Sequence, residues 1–218
     1  VAPADVDALV EEYHKLYKIV PCEAGEEIGK KKIWNAARAE LAIRACLKAK
    51  GAKGFTTNFD DLGSWGDPDA DDFVGFDQIP GLASQRLMAE GYGFGAEGDW
   101  KSAALYRTLW YMTQGMPTGC SFLEHYTLNL DGENSSLLQS HMLEVCPLIA
   151  VDDEPVRLEV HHLGIGIRKQ QTARLVFNSK VGDGVTATVV DMGNRFRLIV
   201  NDVHCIKPKP LPKLPVAN

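Results

Sequence analysis

At about residue 119 the spacing of apolar residues changes from three and four to two, and no single motif constrains the fold as tightly. Upstream, Val6, Leu9, Val10, Tyr13, Leu16 and Tyr17 recur at helical spacing over residues 4–19, on one face of a helix that must end before Pro21. A longer amphipathic helix is expected over 26–50, with Ile33, Ala36, Ala37, Leu41, Ile43 and Leu47 on or near its apolar face and Gly51 as its stop. GFTTNF, at 54–59, reads as a short strand, and the Gly- and Asp-rich stretch 60–78 as a surface loop. Pro80 can open a helix reaching about Glu90, because its missing N–H falls among the unpaired first donors of a helix. The stretch GYGFGAEGD reads as a glycine-rich turn, followed by a helix from near Gly98 to Met112.

From Ser121 onward the runs FLEHYTLNL, LQSHMLEV, VRLEVHHLGI, TARLVFNS, GVTATVVDMG and RFRLIVNDV are short and alternating, as half-buried strands are. MGNR marks a hairpin, since Gly193 and Asn194 tolerate the positive φ of tight turns. The proline-rich stretch KPKPLPKLPVAN cannot be a central strand or helix and reads as an extended connector. The expected fold class is α/β over residues 1–118, followed by mostly antiparallel β over 119–218. If those strands form an incomplete barrel, an open edge makes the isolated chain prone to aggregate.

Charge and cysteine usage exclude several functions. A formal net charge of −6 disfavours capture of phosphate backbones and anionic membrane surfaces, so neither nucleic acid nor membrane is an expected partner. No apolar run approaches the roughly 18–20 residues needed to cross a bilayer, and the first residues carry neither a basic segment nor an apolar signal core, so the expected location is cytosolic. Cys22, Cys46, Cys120, Cys146 and Cys205 are odd in number and widely spaced, which suggests reduced, mostly buried small apolar residues and no disulfide framework or zinc ribbon.

Glu97 lies in a glycine-rich stretch just before a helix, where free N–H groups suit a carboxylate. Glu124 and His141 fall in the first two runs of the β region, where alternate side chains can project together into a cleft. Two carboxylates and an imidazole suit Mn²⁺ or another divalent metal and need no thiolate. Each residue also has an ordinary reading: a capping charge for Glu97, and a solvated or hydrogen-bonded structural role for Glu124 and His141.

FTTNFDDL, IPGLASQRLMAEGYGFGAEGDWK, SFLEHYT, SHMLEVCP, HHLGIG and LPKLPVAN, in that order, resemble successive motifs of the L-arabinose isomerases, and the likeness covers nearly the whole chain from about Val6. The resemblance implies a metal-dependent aldose–ketose isomerase that interconverts L-arabinose and L-ribulose through an enediol. It implies a partial Rossmann-like layer and an incomplete β-barrel-like domain, and homo-oligomers of the full-length protein. By motif, Glu97, Glu124 and His141 are the implied metal ligands, Glu97 and Glu124 the catalytic pair, and Phe59 a residue beside the bound sugar. The family also has an amino-terminal Rossmann-like domain and a fourth ligand, a histidine in an A-H-H-T-like motif beyond the LPVAN string, and neither has a counterpart in these 218 residues. His161 and His162 fall in HHLGIG, which is not the ligand motif, so a structural role is expected for them. Two local departures are a longer loop over 61–78 and His125 in place of a usual aspartate. The competing readings are a non-catalytic metal- or sugar-binding fragment and an isomerase of a related sugar such as L-fucose or D-galactose.

Overall fold

The computed structural model describes residues 1–58, 75–162 and 171–207. Helix α1 (Pro3–Leu16) buries Val6, Leu9 and Tyr13. It stops sooner than its periodicity suggests, because Tyr17 is extended and leads into a short strand, β1 (Lys18–Ile19). Helix α2 (Glu26–Lys50) ends where expected, with Gly51 at φ 64° in the left-handed region that its lack of a Cβ makes accessible. Strand β2 (Gly54–Thr57) and helix α3 (Gly81–Ala89) follow. Phe59, at the end of the expected strand, and residues 60–74 of the expected loop lie outside the described residues.

The stretch expected to be a turn contains a fully buried strand, β3 (Gly93–Ala96), parallel to β2. Its glycines mislead a sequence reading, for they serve close packing: a Cβ on Gly93 would lie 2.1 Å from the Ala103 carbonyl oxygen, and one on Gly95 2.1 Å from that of Asp99. Helix α4 (Trp100–Met112) can therefore rest its backbone directly on the strand. The β region contains β4 (Glu124–Asn129), β5 (Ser136–Ser140), a short 3₁₀ turn (Pro147–Ile149), β6 (Arg157–His162), β7 (Gln171–Val176), β8 (Gly182–Asp191) and β9 (Phe196–Cys205). The run LQSHMLEV is strand only to Ser140; Leu143, Val145 and Cys146 instead turn inward as part of the core.

Parallel pairs thus involve the early strands, β2 with β3 and β1 with β6, while β4–β5, β6–β7 and β8–β9 are antiparallel. Among the described residues these pairs form no closed barrel. The β8–β9 turn is the expected one, with the Met192 N–H donating to the Arg195 carbonyl at 2.9 Å and Gly193 at φ 85°. Asn194 does not share that positive φ.

The principal core joins α1, α2 and α3 to the β6–β7 pair, through Val6, Tyr13, Ile33, Leu82, Leu158 and Leu175. Gln85 stitches helix to sheet: its amide donates to the carbonyls of Val145 and Leu175 at 2.9 and 3.0 Å, and its oxygen accepts from the Leu175 N–H at 2.7 Å. Between the helices the fully buried Glu40 accepts from Tyr13 Oη at 2.6 Å and Arg86 Nε at 2.9 Å, and also from Arg44. All five cysteines are free, but the expectation of general burial fails: Cys146 is buried, Cys22 and Cys120 are half-buried, and Cys46 and Cys205 are exposed. Among the described residues no helix is long and apolar enough to cross a membrane.

Candidate active site

A second core cluster carries the site. Phe94 of β3 packs against Phe55 of β2 (ring centroids 5.3 Å apart) and edge-on against Phe122 (5.7 Å), and Phe122 in turn meets the His141 ring at 5.2 Å. This aromatic series runs from the parallel pair to the start of β4, and it holds the imidazole by contact on its edge. Ser121 Oγ accepts from the Cys146 N–H at 2.9 Å, which ties the segment before Glu124 to the one after His141.

Glu124 is the first residue of β4 and its Cα partner is Ser140, the last of β5. His141, expected within a strand, lies just beyond it and is buried. This register sets His141 Nε2 3.6 Å from Glu124 Oε2. At the other side of the ring, His141 Nδ1 is 2.7 Å from Glu144 Oε2. Burial alone would lower the pKa of His141, but the carboxylates of Glu144, Glu124 and Glu97 outweigh it and hold the pKa above its ordinary value.

Glu97 lies between β3 and α4 with φ 56°, the one described non-glycine residue in the left-handed region, and Gly98 follows at φ 88°. Such a conformation costs a non-glycine residue of order 1–3 kcal/mol and is concentrated at functional sites. Its surroundings hold it there: the Gly98 N–H donates to Thr56 Oγ1 at 2.7 Å, and Asp99 caps α4 by accepting from the N–H groups of Lys101 and Ser102 at 3.2 and 3.1 Å. The Asp99 carboxyl, despite partial burial, is kept below its usual range by the hydroxyl and N–H of Ser102 and by Lys101. The Glu97 side chain is exposed, and its charge reaches both His141 and Tyr126. Burial, with the carboxylates of Glu124, Glu144 and Glu97, pushes the Tyr126 phenol up to about 12.

Of the residues singled out from sequence, Glu124 and His141 are therefore brought together, Glu97 stands within electrostatic reach, and Phe59 lies outside the described residues. Among the described residues no three His, Cys, Asp or Glu side chains converge closely enough to hold a metal ion. The donor chemistry nevertheless fits a divalent cation: Glu124 and His141 Nε2 face each other, and a further carboxylate satisfies Nδ1, the outer-shell arrangement common for metal-binding imidazoles. His161 is occupied elsewhere, its Nε2 paired with Glu159, which also accepts from Arg157 Nε at 2.7 Å.

Residues 1–115 match the L-arabinose isomerase central domain, and residues 119–218 match the L-arabinose isomerase C-terminal domain. The chain belongs to the L-arabinose isomerase family. It is 73% identical over 216 residues to the L-arabinose isomerase of Bacteroides thetaiotaomicron, covering 99% of this chain and 41% of that protein. With the Phocaeicola vulgatus L-arabinose isomerase the identity is 70% over 219 residues, covering all of this chain and 42% of the relative. The L-arabinose isomerase of an Escherichia coli strain is 45% identical over the whole chain, which covers 41% of it. The chain thus spans about two fifths of the length of these relatives.

In this member of the family, sequence reasoning passed over Glu144, Tyr126 and Phe122, which surround the Glu124–His141 pair. Tyr126 and Phe122 lie two residues either side of Glu124, a proximity legible once Glu124 is chosen. Glu144 gives only the weak signal of standing three residues after His141 in SHMLEVCP.

Proposed function

We propose that this chain is part of a metal-dependent aldose–ketose isomerase that converts L-arabinose to L-ribulose through an enediol. The observation that carries the proposal is the facing of His141 Nε2 and Glu124 Oε2 at 3.6 Å, in a chain 73% identical to an L-arabinose isomerase. Glu97, Glu124 and His141 would hold Mn²⁺ or a related divalent cation, with Phe59 beside the sugar. When bound, such a cation would supply Lewis-acid polarisation of the sugar's oxygens. The proton work belongs to the protein: one of the two glutamates takes the proton from C2 and returns it to C1, and the other moves a proton between the hydroxyl oxygens. Tyr126, two residues from Glu124, carries a phenol that is protonated near neutral pH and so can donate a hydrogen bond.

The proposal extends to the whole protein. Residues 1–118 form part of a Rossmann-like α/β layer and 119–218 part of a β-barrel-like domain, a division supported by where the two domain matches meet. The full-length protein is a cytoplasmic homo-oligomer that takes a free sugar and binds neither nucleic acid nor membrane, in keeping with the net charge of −6. Chelation of the full-length enzyme should abolish L-ribulose formation and Mn²⁺ should restore it, with L-arabinose preferred over L-fucose and D-galactose. Full turnover after exhaustive chelation, or a preference for either other sugar, contradicts the reading.

A further inference from the structure

The buried Glu144 carboxylate, 2.7 Å from His141 Nδ1, belongs to no proposed ligand set, yet it determines which ring nitrogen of His141 carries an available lone pair. The same Nδ1 is also 3.2 Å from the Glu144 backbone N–H, and these contacts make opposite demands. The N–H contact needs a lone pair on Nδ1, whereas the carboxylate contact needs a proton there. The carboxylate contact prevails, because it is shorter and charge-assisted, and because an anionic oxygen facing a lone pair at 2.7 Å in a buried place would be repelled. In the neutral imidazole the proton therefore belongs on Nδ1, and Nε2, the nitrogen on the Glu124 side, is the one left to bind a cation.

The segment that carries Glu144 is tied to the sheet through Met142. Arg174 of β7, buried and paired in register with Glu159 of β6, donates from its guanidinium to the Met142 carbonyl at 2.8 Å, and its charge lies among those of Glu159 and Glu144. The bend from His141 to Glu144 is thus held against β7, and edge contact with Phe122 fixes the ring from the other side.

We propose that Glu144 is the positioning residue of this site: by accepting the Nδ1 proton of His141 it presents Nε2 as a ready ligand for a divalent cation. The inference rests on the metal reading given above. It is tested with Mn²⁺ alone, without sugar, by electron paramagnetic resonance titration of the full-length protein and its Glu144→Gln, Glu144→Asp, Glu159→Gln and His141→Ala variants, each checked by thermal melt. Gln has the same shape as Glu, but its amide can donate to Nδ1 and so favour the tautomer with the proton on Nε2. Glu144→Gln should weaken Mn²⁺ about tenfold to a hundredfold with a cooperative melt retained. Glu144→Asp, whose carboxylate falls a methylene short of Nδ1, should weaken it too, so the test survives if Glu144→Gln does not fold. Glu159→Gln removes a carboxylate from the same buried group without touching His141, and should leave Mn²⁺ affinity unchanged. Unaltered affinity in both Glu144 variants while His141→Ala loses Mn²⁺ overturns the inference and leaves the metal reading standing, and so does an equal loss in Glu159→Gln. Unaltered affinity in His141→Ala overturns the metal reading and takes the inference with it.

Discussion

The pairs β6–β7 and β8–β9 are both antiparallel and both alternate in sequence, yet they meet opposite surroundings. Across β6–β7, Leu158 and Leu175 are Cα partners, each fully buried beneath the helices α1, α2 and α3. Across β8–β9, Val185, Leu198, Val200 and Phe196 share one face by register and are all exposed. One contact of the hairpin with the rest of the chain is at the start of α4, where Phe196 and Trp100 pack edge to face with ring centroids 5.9 Å apart. Hydrogen-bond pairing is thus separate from burial: a two-stranded ribbon satisfies its inner backbone groups but contributes little stability until something covers a face.

Mutations can break this contrast in graded steps. The largest loss should come from the buried centre between the helices, where Glu40→Ala leaves the guanidiniums of Arg44 and Arg86 without a shared acceptor. Removing one partner from a buried ionic group costs about 3–5 kcal/mol. The remaining partners, Glu90 for Arg44 and Glu12 and Tyr17 for Arg86, supply no second buried carboxylate in place of Glu40. Denaturant unfolding of the full-length protein measures the cost, and a loss below about 1 kcal/mol would show that the group is dispensable.

Next comes a matched pair of truncations, one in each ribbon. Leu175→Ala should cost about 2–5 kcal/mol, because its site is closed on every side by packed side chains. Leu198→Ala, at a side chain 57% exposed, should change stability by no more than about 0.5 kcal/mol. Equal losses, read from the same denaturant midpoints, would mean that the hairpin is covered in the full-length protein, which would locate a contact surface on the Leu198 face.

The same contrast marks what the sequence could disclose. The limits of α2, the turn at Gly193 and the change from a helical region to antiparallel strand pairs were legible, because each follows from local chemistry. Strand β3 was not, since the glycines that permit α4 to approach it are also the residues of turns, and only the neighbouring backbone distinguishes the two. Strand β1 was hidden because it pairs with β6, well over a hundred residues further on. At the site, residue types alone left Glu124 and His141 with ordinary readings and the motif resemblance singled them out; their adjacency follows from the β4–β5 register. The strain at Glu97 and the partner of Nδ1 are three-dimensional facts, and no spacing rule reveals them.

The most direct test of the account is L-ribulose formation from L-arabinose at saturating Mn²⁺ by the full-length protein and its Glu97→Gln, Glu124→Gln and His161→Ala variants. Loss of a positioned acid or base alone costs about a hundredfold to ten-thousandfold in rate, and each glutamine variant should lose at least that much, since each change also removes a proposed metal ligand. His161→Ala, in a residue paired with Glu159 away from Glu124, should lower the melting temperature more than the turnover. Near-normal turnover by a folded Glu97→Gln or Glu124→Gln enzyme, or a selective loss of turnover in His161→Ala, would contradict the site assignment.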